Sequence, residues 1–214
     1  MRINLPILKQ PTNKSCGTTC LRIVLAYHGI EISEKTISKN LIKDQEGGTF
    51  ITELARFAKT LNLKATCFAY NLYLTDPSTD KNIDSQTLIN KLEKLKNGLK
   101  DNWFLEMTES IINTISSGIS YIIKKPNIYL FKSYLRQAIP IIISVNYTSL
   151  YNKQGNPFEG HNIILNGFKE DYFWFIDPEH GIQDKIHSKQ LMFSLHSAKI
   201  IARSAYMLII EKSL

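Results

Sequence analysis

Cys16, Gln10, His161 and Asp177 are the residues whose types and settings could carry chemistry together. Cys16 lies in Q-P-T-N-K-S-C-G-T-T-C-L-R-I-V-L-A-Y-H-G, which runs from Gln10 to Gly29. The pattern predicts a loop feeding a buried helix that starts at Cys16. A helix start gathers unpaired backbone N–H groups and the positive end of the dipole, so a thiol there ionises more readily than a free one. His161 opens the run G-H-N-I-I-L-N-G-F, and Asp177 closes F-W-F-I-D before a proline. Acyl transfer by cysteine needs a base for the thiol proton, a group that orients the base, and donors for the developing oxyanion. His161 suits the first role and Asp177 the second. The Gln10 amide, with the Cys16 backbone N–H, suits the third. Singly, a His at a strand start and an Asp-Pro turn are ordinary features. Their order and pairing make the set specific.

The elements that must position these residues follow from periodicity. From about Cys16 to Tyr27, the residues Cys20, Ile23, Val24 and Tyr27 recur at helical spacing as a core-facing stripe. Ser15 or Asn13 supplies its cap, and His28-Gly29 its stop. Residues 3–9 form an extended lead-in that delivers Gln10. A second helix has Ser33 as N-cap and Thr36 to Leu41 as body. A third puts Ile51, Leu54, Ala55, Ala58 and Leu61 on one face. Residues 63–70 alternate as a strand, with Leu63, Ala65, Cys67 and Ala69 facing one way. A polar loop follows, then a lysine-rich helix from Ser85 to Asn97 and a longer amphipathic helix from Asp101 to Ile123, closed by Pro126. Another helix spans about Asn127 to Ala138. Beyond Pro140, I-I-I-S-V-N-Y reads as a central strand. The His161 and Asp177 runs form a hairpin turning at Lys169 to Asp171, which brings both residues to one sheet edge. His180 falls close by. A short strand, a short helix over 188–195 and a closing strand over 204–211 complete the chain. Helices first and strands later predict an α+β fold, an antiparallel sheet packed on the N-terminal helices.

The bulk composition narrows the function classes. The 214 residues suffice for one domain with a core. A net charge of +7 admits an acidic partner, but the lysines are scattered and no basic stripe is interleaved with aromatics. No nucleic-acid partner is therefore expected; steeply salt-dependent binding would mark one. Three cysteines are an odd number, and two of them lie one helical turn apart, so a disulfide framework is not expected. The longest apolar run, Ala138 to Val145, is interrupted by Pro140 and Ser144 and is too short to span a bilayer. With no secretory signal core, the expectation is a cytoplasmic protein, export without a signal remaining open. Cys16, Cys20 and His161 do not have the spacing of a structural zinc site, and no metal or other cofactor is expected. No G-x-x-x-x-G-K-[ST] run for binding nucleotide phosphates occurs.

The sequence resembles the papain-like cysteine peptidases of the C39 type, which include the peptidase domains of bacteriocin-processing transporters and stand-alone relatives. The resemblance is carried by Q-x5-C-G-T-T-C-L with L-A-Y-H-G, then G-G-T-F-I-T-E-L-A-R-F-A, then G-H-N-I-I-L-N-G-F, then F-I-D-P. It covers about 1–70 and 138–212. It implies a papain-like fold and a peptidase with Gln10 in the oxyanion hole, Cys16 as nucleophile, His161 as base and Asp177 orienting it. It also implies a peptide or protein substrate, cut by some members after paired glycines. The local signature of papain itself is absent. Residues 72–137 depart from the pattern, as a helical insertion within a single 1–214 domain. The insertion reads as a lid or partner-docking cap beside the cleft, or as a structural extension over the sheet. The same triad also serves acyl or amide transfer and glutamine deamidation. A catalytically inactive peptide-binding domain is the non-enzymatic alternative.

Overall fold

Helix α1 (Cys16–Tyr27) is buried almost all round, with Thr18, Thr19, Cys20, Leu21, Ile23, Val24 and Leu25 inside. Its two threonines face the Glu34 carboxylate at the start of α2 (Glu34–Lys39), which satisfies hydroxyls that burial would otherwise strand. Tyr27 departs from the expected core stripe. It is 36% exposed, because its hydroxyl reaches out to donate to the Ala138 carbonyl at 2.8 Å. Gly29 takes φ +83° and stops the helix as expected. Ser33 caps α2 by accepting the Thr36 N–H. Helix α3 (Ile51–Thr60) buries Ile51, Leu54, Ala55 and Ala58. The computed structural model describes residues 1–44, 47–156, 159–197 and 204–213.

The strands are β1 (Leu63–Asn71), β2 (Ser120–Ile123), β3 (Ile141–Asn146), β4 (Gly160–Lys169), β5 (Tyr172–Asp177), β6 (Ile182–His187) and β7 (Ser204–Lys212). They form one seven-stranded sheet in the order β2-β1-β7-β3-β4-β5-β6. Every pairing is antiparallel except β1 with β2, which is parallel, so the expected all-antiparallel sheet is mixed at one edge. β1 was expected to bury one face and buries both. α3 covers one side, and on the other Phe68 meets the Tyr134 ring edge-on at 5.8 Å.

The segment after β1 holds the largest difference from the sequence reading. Helices α4 (Pro77–Asp80), α5 (Ser85–Lys96) and α6 (Asn102–Ser116) follow one another, and α6 ends well before Ile123. Gly118 adopts φ +79°, a left-handed turn that breaks the helix. The Ser-Tyr-Ile-Ile run beyond it pairs with β1, where the ladder supplies backbone partners that a lengthened helix would forgo. Asn127 then caps α7 (Ile128–Arg136). α5 and α6 share a satellite core with Leu88, Leu92, Phe104, Met107 and Ile111. Polar contacts fasten α6 to α3: Ser110 Oγ lies 2.6 Å from Thr52 Oγ1 and donates to Glu53 Oε1 at 2.6 Å. Tyr147 was read into the strand and instead opens the short α8 (Tyr147–Leu150), because the Asn146 side chain caps it by accepting the Ser149 N–H at 2.8 Å. Helix α9 (Ser188–His196) packs on β3, β6 and β7. Among the described residues no helix is long and apolar enough to cross a membrane.

Candidate active site

Cys16 is the first residue of α1, with its side chain partly accessible while the helix behind it is buried. Ser15 occupies the cap position but does not cap. Its hydroxyl donates to the Thr12 carbonyl at 2.8 Å and accepts the Thr12 N–H at 3.0 Å. The polar approach is thus closed into a turn of its own, and the first turn of α1 has no side-chain cap over it.

The hairpin delivers the second group. β4 and β5 turn at Glu170 and Asp171, and the ladder brings His161 near the start of β4 against Asp177 at the end of β5. His161 Nε2 lies 2.7 Å from Asp177 Oδ1, both side chains being buried. That contact leaves Nδ1 as the ring nitrogen for the thiol. Asp177 also accepts the Glu179 N–H at 2.8 Å and the Tyr151 hydroxyl. Tyr147 meets the imidazole edge-on, with centroids 5.5 Å apart.

The lead-in explains where Gln10 sits. Ile3 N–H donates to the Asn166 carbonyl at 2.6 Å, and Asn166 Nδ2 donates to the Ile3 carbonyl at 2.9 Å. Gly167 must be glycine here, since a Cβ would lie 2.5 Å from the Met1 carbonyl oxygen. Further along, Gln10 N–H donates to the Pro178 carbonyl at 2.7 Å, one residue beyond Asp177. Gln10 therefore reaches the same end of the sheet through its backbone. Its amide oxygen is buried with no hydrogen-bond partner among the described residues.

The electrostatics follow from this packing. Burial alone would raise the Cys16 thiol; the hydrogen bond and charge of His161, with Asn162, outweigh it and hold the thiol below its ordinary 9.0. For His161 burial works downward, and the Asp177 and Cys16 contacts overcome it and raise the imidazole to about 10. Asp177 is held below 3.8 despite burial, by His161 first and then by Tyr151 and the Glu179 N–H. Cys20 and Cys67 behave oppositely. Burial raises both thiols, Cys67 to about 12. One cysteine of the three is thus set to ionise.

Two contributors escaped the sequence reading. Asn162 Nδ2 lies 3.7 Å from Cys16 Sγ, while its Oδ1 accepts from Ser144 Oγ at 2.8 Å and its carbonyl accepts from Cys20 Sγ at 3.3 Å. The available signal was an Asn inside a buried apolar strand, where an amide must find partners. Tyr151 had no local signal, because its role depends on α8. His180 is exposed; its Nε2 lies 3.1 Å from the Tyr147 hydroxyl. No group of three or more His, Cys, Asp or Glu side chains among the described residues is placed to hold a metal ion. A cavity of about 360 Å³ opens beside Cys16, His161 and Asn162 and extends to α6.

A family model described as the Peptidase_C39 like family matches residues 2–194. No curated protein matches the sequence significantly. Among solved structures, a protein from Bacillus anthracis described as a C39-like peptidase aligns at 14% identity and TM-score 0.55, covering 100% of each chain. A double glycine motif protease from an AMS/PCAT transporter, in complex with the leader peptide, aligns at 18% and 0.53, covering 99% of this chain and 94% of that one. The peptidase domain of Streptococcus ComA, a bifunctional ABC transporter of a quorum-sensing pathway, aligns at 11% and 0.52, covering 99% of both. At these identities the likeness is one of fold.

Proposed function

The chain belongs to the Peptidase_C39 like family of cysteine peptidases, and on that premise we propose that it hydrolyses a peptide or isopeptide bond through Cys16, His161 and Asp177, with Gln10 assisting. The observation that carries this reading is the placement of Cys16 at the start of α1 beside His161, whose Nε2 lies 2.7 Å from Asp177 Oδ1, in surroundings that lower the thiol and raise the imidazole. A thiolate and an imidazolium formed there stabilise each other.

The Cys16 thiolate attacks the scissile carbonyl, and the carbonyl electron pair moves onto oxygen. The uncapped first turn of α1 offers backbone N–H groups to that oxyanion, and the Gln10 amide N–H is its side-chain donor. His161 passes its proton to the leaving amine, and a thioester remains. His161, now neutral, takes a proton from water, whose oxygen releases the acyl group as a carboxylic acid. Asp177 keeps the imidazole oriented through both steps and stabilises the imidazolium each time it forms. The substrate class is a peptide, and the resemblance to C39 peptidases suggests cleavage after a small residue such as Gly. Residues 72–137 act within the single domain as a fixed flank of the cleft, through the hydrogen bonds of α6 to α3.

The test is a Cys16→Ser variant beside the intact protein, assayed on Gly-ended leader-type peptides by mass spectrometry, with and without an added primary amine. Hydrolysis that requires Cys16 and is indifferent to the amine supports the peptidase. Product that gains the mass of the amine assigns the thioester to transfer instead. Side-chain amide loss without chain cleavage assigns it to deamidation. If Cys16 alkylates no faster than free cysteine, the catalytic reading fails.

A further inference from the structure

Asn162 has no task in the hydrolytic steps, although it follows His161 directly in β4. Successive residues of a strand point to opposite faces of the sheet. Both nevertheless reach the Cys16 sulfur. His161 does so by a side-chain hydrogen bond, and Asn162 through Nδ2 at 3.7 Å, a contact lengthened by the larger radius of sulfur. The sulfur therefore has two side-chain partners of different chemistry, one that titrates and one that does not.

The amide is held from several sides. Ser144 is its cross-strand partner in β3, and Ser144 Oγ donates to Asn162 Oδ1 at 2.8 Å. With the oxygen engaged there, the amide nitrogen is the atom that faces the thiol. The Asn162 carbonyl accepts from Cys20 Sγ at 3.3 Å, and burial keeps that thiol protonated and hence a donor. A Cβ on Gly17 would stand 3.2 Å from Asn162 Nδ2, so the amide rests against the bare backbone of the first turn of α1. Asn162 is only 8% exposed, and a buried amide is costly unless both its ends find partners.

The reverse arrangement of the amide would set Oδ1 against a thiolate, two acceptors with no hydrogen between them. Nδ2 toward sulfur is instead a donor to the charged form, and such a donor favours ionisation. It differs from His161 in having no proton to give up. His161 passes its proton to the leaving amine and recovers one from water, whereas the amide N–H stays in place throughout. When the thioester breaks, the C–S electron pair returns to sulfur, and the amide meets the charge that forms there.

We propose that Asn162 is a catalytic residue whose amide N–H donates to the Cys16 sulfur independently of His161, and that Ser144 is the positioning residue that holds this amide. This rests on Cys16 being the nucleophile. The thiolate then keeps one donor at the moments when the imidazole is neutral, and the nucleophile and leaving-group roles of the same sulfur share that donor.

The test is the ionisation midpoint of Cys16, read from the ultraviolet absorbance of its thiolate against pH with the Cys16→Ser spectrum subtracted. Lys14, Asp44, Glu159 and Glu179 border the same cavity, and Asp177 stands behind His161; all are kept in every variant, so differences report the substituted side chain. Asn162→Leu keeps the size and removes the donor, and its midpoint is expected about one pH unit above that of the intact protein. In a His161→Ala background the same substitution is expected to raise the midpoint by at least as much. An increment that vanishes there means that Asn162 acts only through His161, and overturns the direct contact. Ser144→Ala is expected to give part of the rise, and Ser144→Thr, which keeps the hydroxyl, none. A folded Asn162→Leu protein whose midpoint stays within about 0.2 of the intact value overturns the proposal. A Ser144→Ala midpoint equally unmoved removes Ser144 from it. Asn162→Ala replaces Asn162→Leu if circular dichroism shows the latter unfolded. Cys16 of the intact protein reacting with iodoacetamide at pH 6 no faster than free cysteine defeats the nucleophile reading instead, and the two failures are read separately.

Discussion

Asp177→Asn removes a charge and keeps a shape. Asp177 accepts from His161 Nε2, the Glu179 N–H and the Tyr151 hydroxyl. An Asn that keeps its oxygen toward His161 and Glu179 turns its amide N–H toward Tyr151, whose hydroxyl rotates to accept it. The contacts survive and the charge alone is lost. His161 stands at about 10 against an ordinary 6.5, and the Asp177 and Cys16 contacts achieve that rise against burial, which works downward. As the imidazolium weakens, the Cys16 thiol loses its counter-ion. Each decade lost makes the thiolate tenfold scarcer at fixed pH, offset by roughly threefold greater nucleophilicity of the more basic thiolate. Each decade thus costs about threefold in rate, and a fall of about tenfold or more at pH 6 is expected. The assay is iodoacetamide modification of Cys16 followed by intact mass between pH 5 and 9, with Cys16→Ser correcting for Cys20 and Cys67. Circular dichroism confirms the fold. A folded Asp177→Asn protein that alkylates within twofold of the intact chain at pH 6 refutes the role assigned to this carboxylate.

Four further expectations follow. The alkylation rate of the intact protein should rise with a midpoint below pH 9.0, and His161→Ala should move that midpoint upward, because burial is then opposed by Asn162 without His161. On the acid side, the folded Asp177 value lies below 3.8, so its contribution to stability is present above 3.8 and lost as pH falls through the lowered value. Melting temperature should therefore fall less steeply between pH 5 and 2.5 in Asp177→Asn than in the intact protein. Ser110→Ala leaves Thr52 and the buried Glu53 carboxylate each short of a partner; urea unfolding should report a loss of about 1–3 kcal/mol. Gly118→Ala forces a side chain into φ +79° and should cost about 1–2 kcal/mol in the same assay, with Cys16 alkylation unchanged.

Periodicity disclosed the α1 platform, the β4–β5 hairpin and hence the meeting of His161 with Asp177, because each depends on a local pattern and one short turn. It misread residues 117–123, where apolar residues fit a helix as well as a strand and the deciding partner is β1, far away in sequence. It could not show that β1 buries both faces, which depends on Tyr134 of α7, a helix that packs on β3 and β4. In the candidate site, the residues with distinctive chemistry were legible. Asn162 and Tyr151 were not, since their importance lies in which atoms they face. Gln10 was legible as a position, and the structure adds that its backbone bond to Pro178 holds it there.

β7 follows every other strand in sequence and lies at the middle of the sheet. It pairs with β1 over nine positions, Leu63 to Asn71, and with β3 over Ile141 to Ile143. A growing chain therefore makes two ribbons before it makes a sheet: β2 with β1, and β3 through β6. Each ribbon presents an open row of N–H and C=O groups along the seam that β7 later fills. The thiol–imidazole pair belongs to the second ribbon, since α1 packs on β4, and α6 belongs to the first, since it packs on β2. A chain interrupted before residue 204 would carry two open, adhesive edges, with α3, which packs on both α1 and α6, spanning the gap between the ribbons. Synthesis of β7 thus sets the moment at which the seam closes and the two ribbons become one sheet.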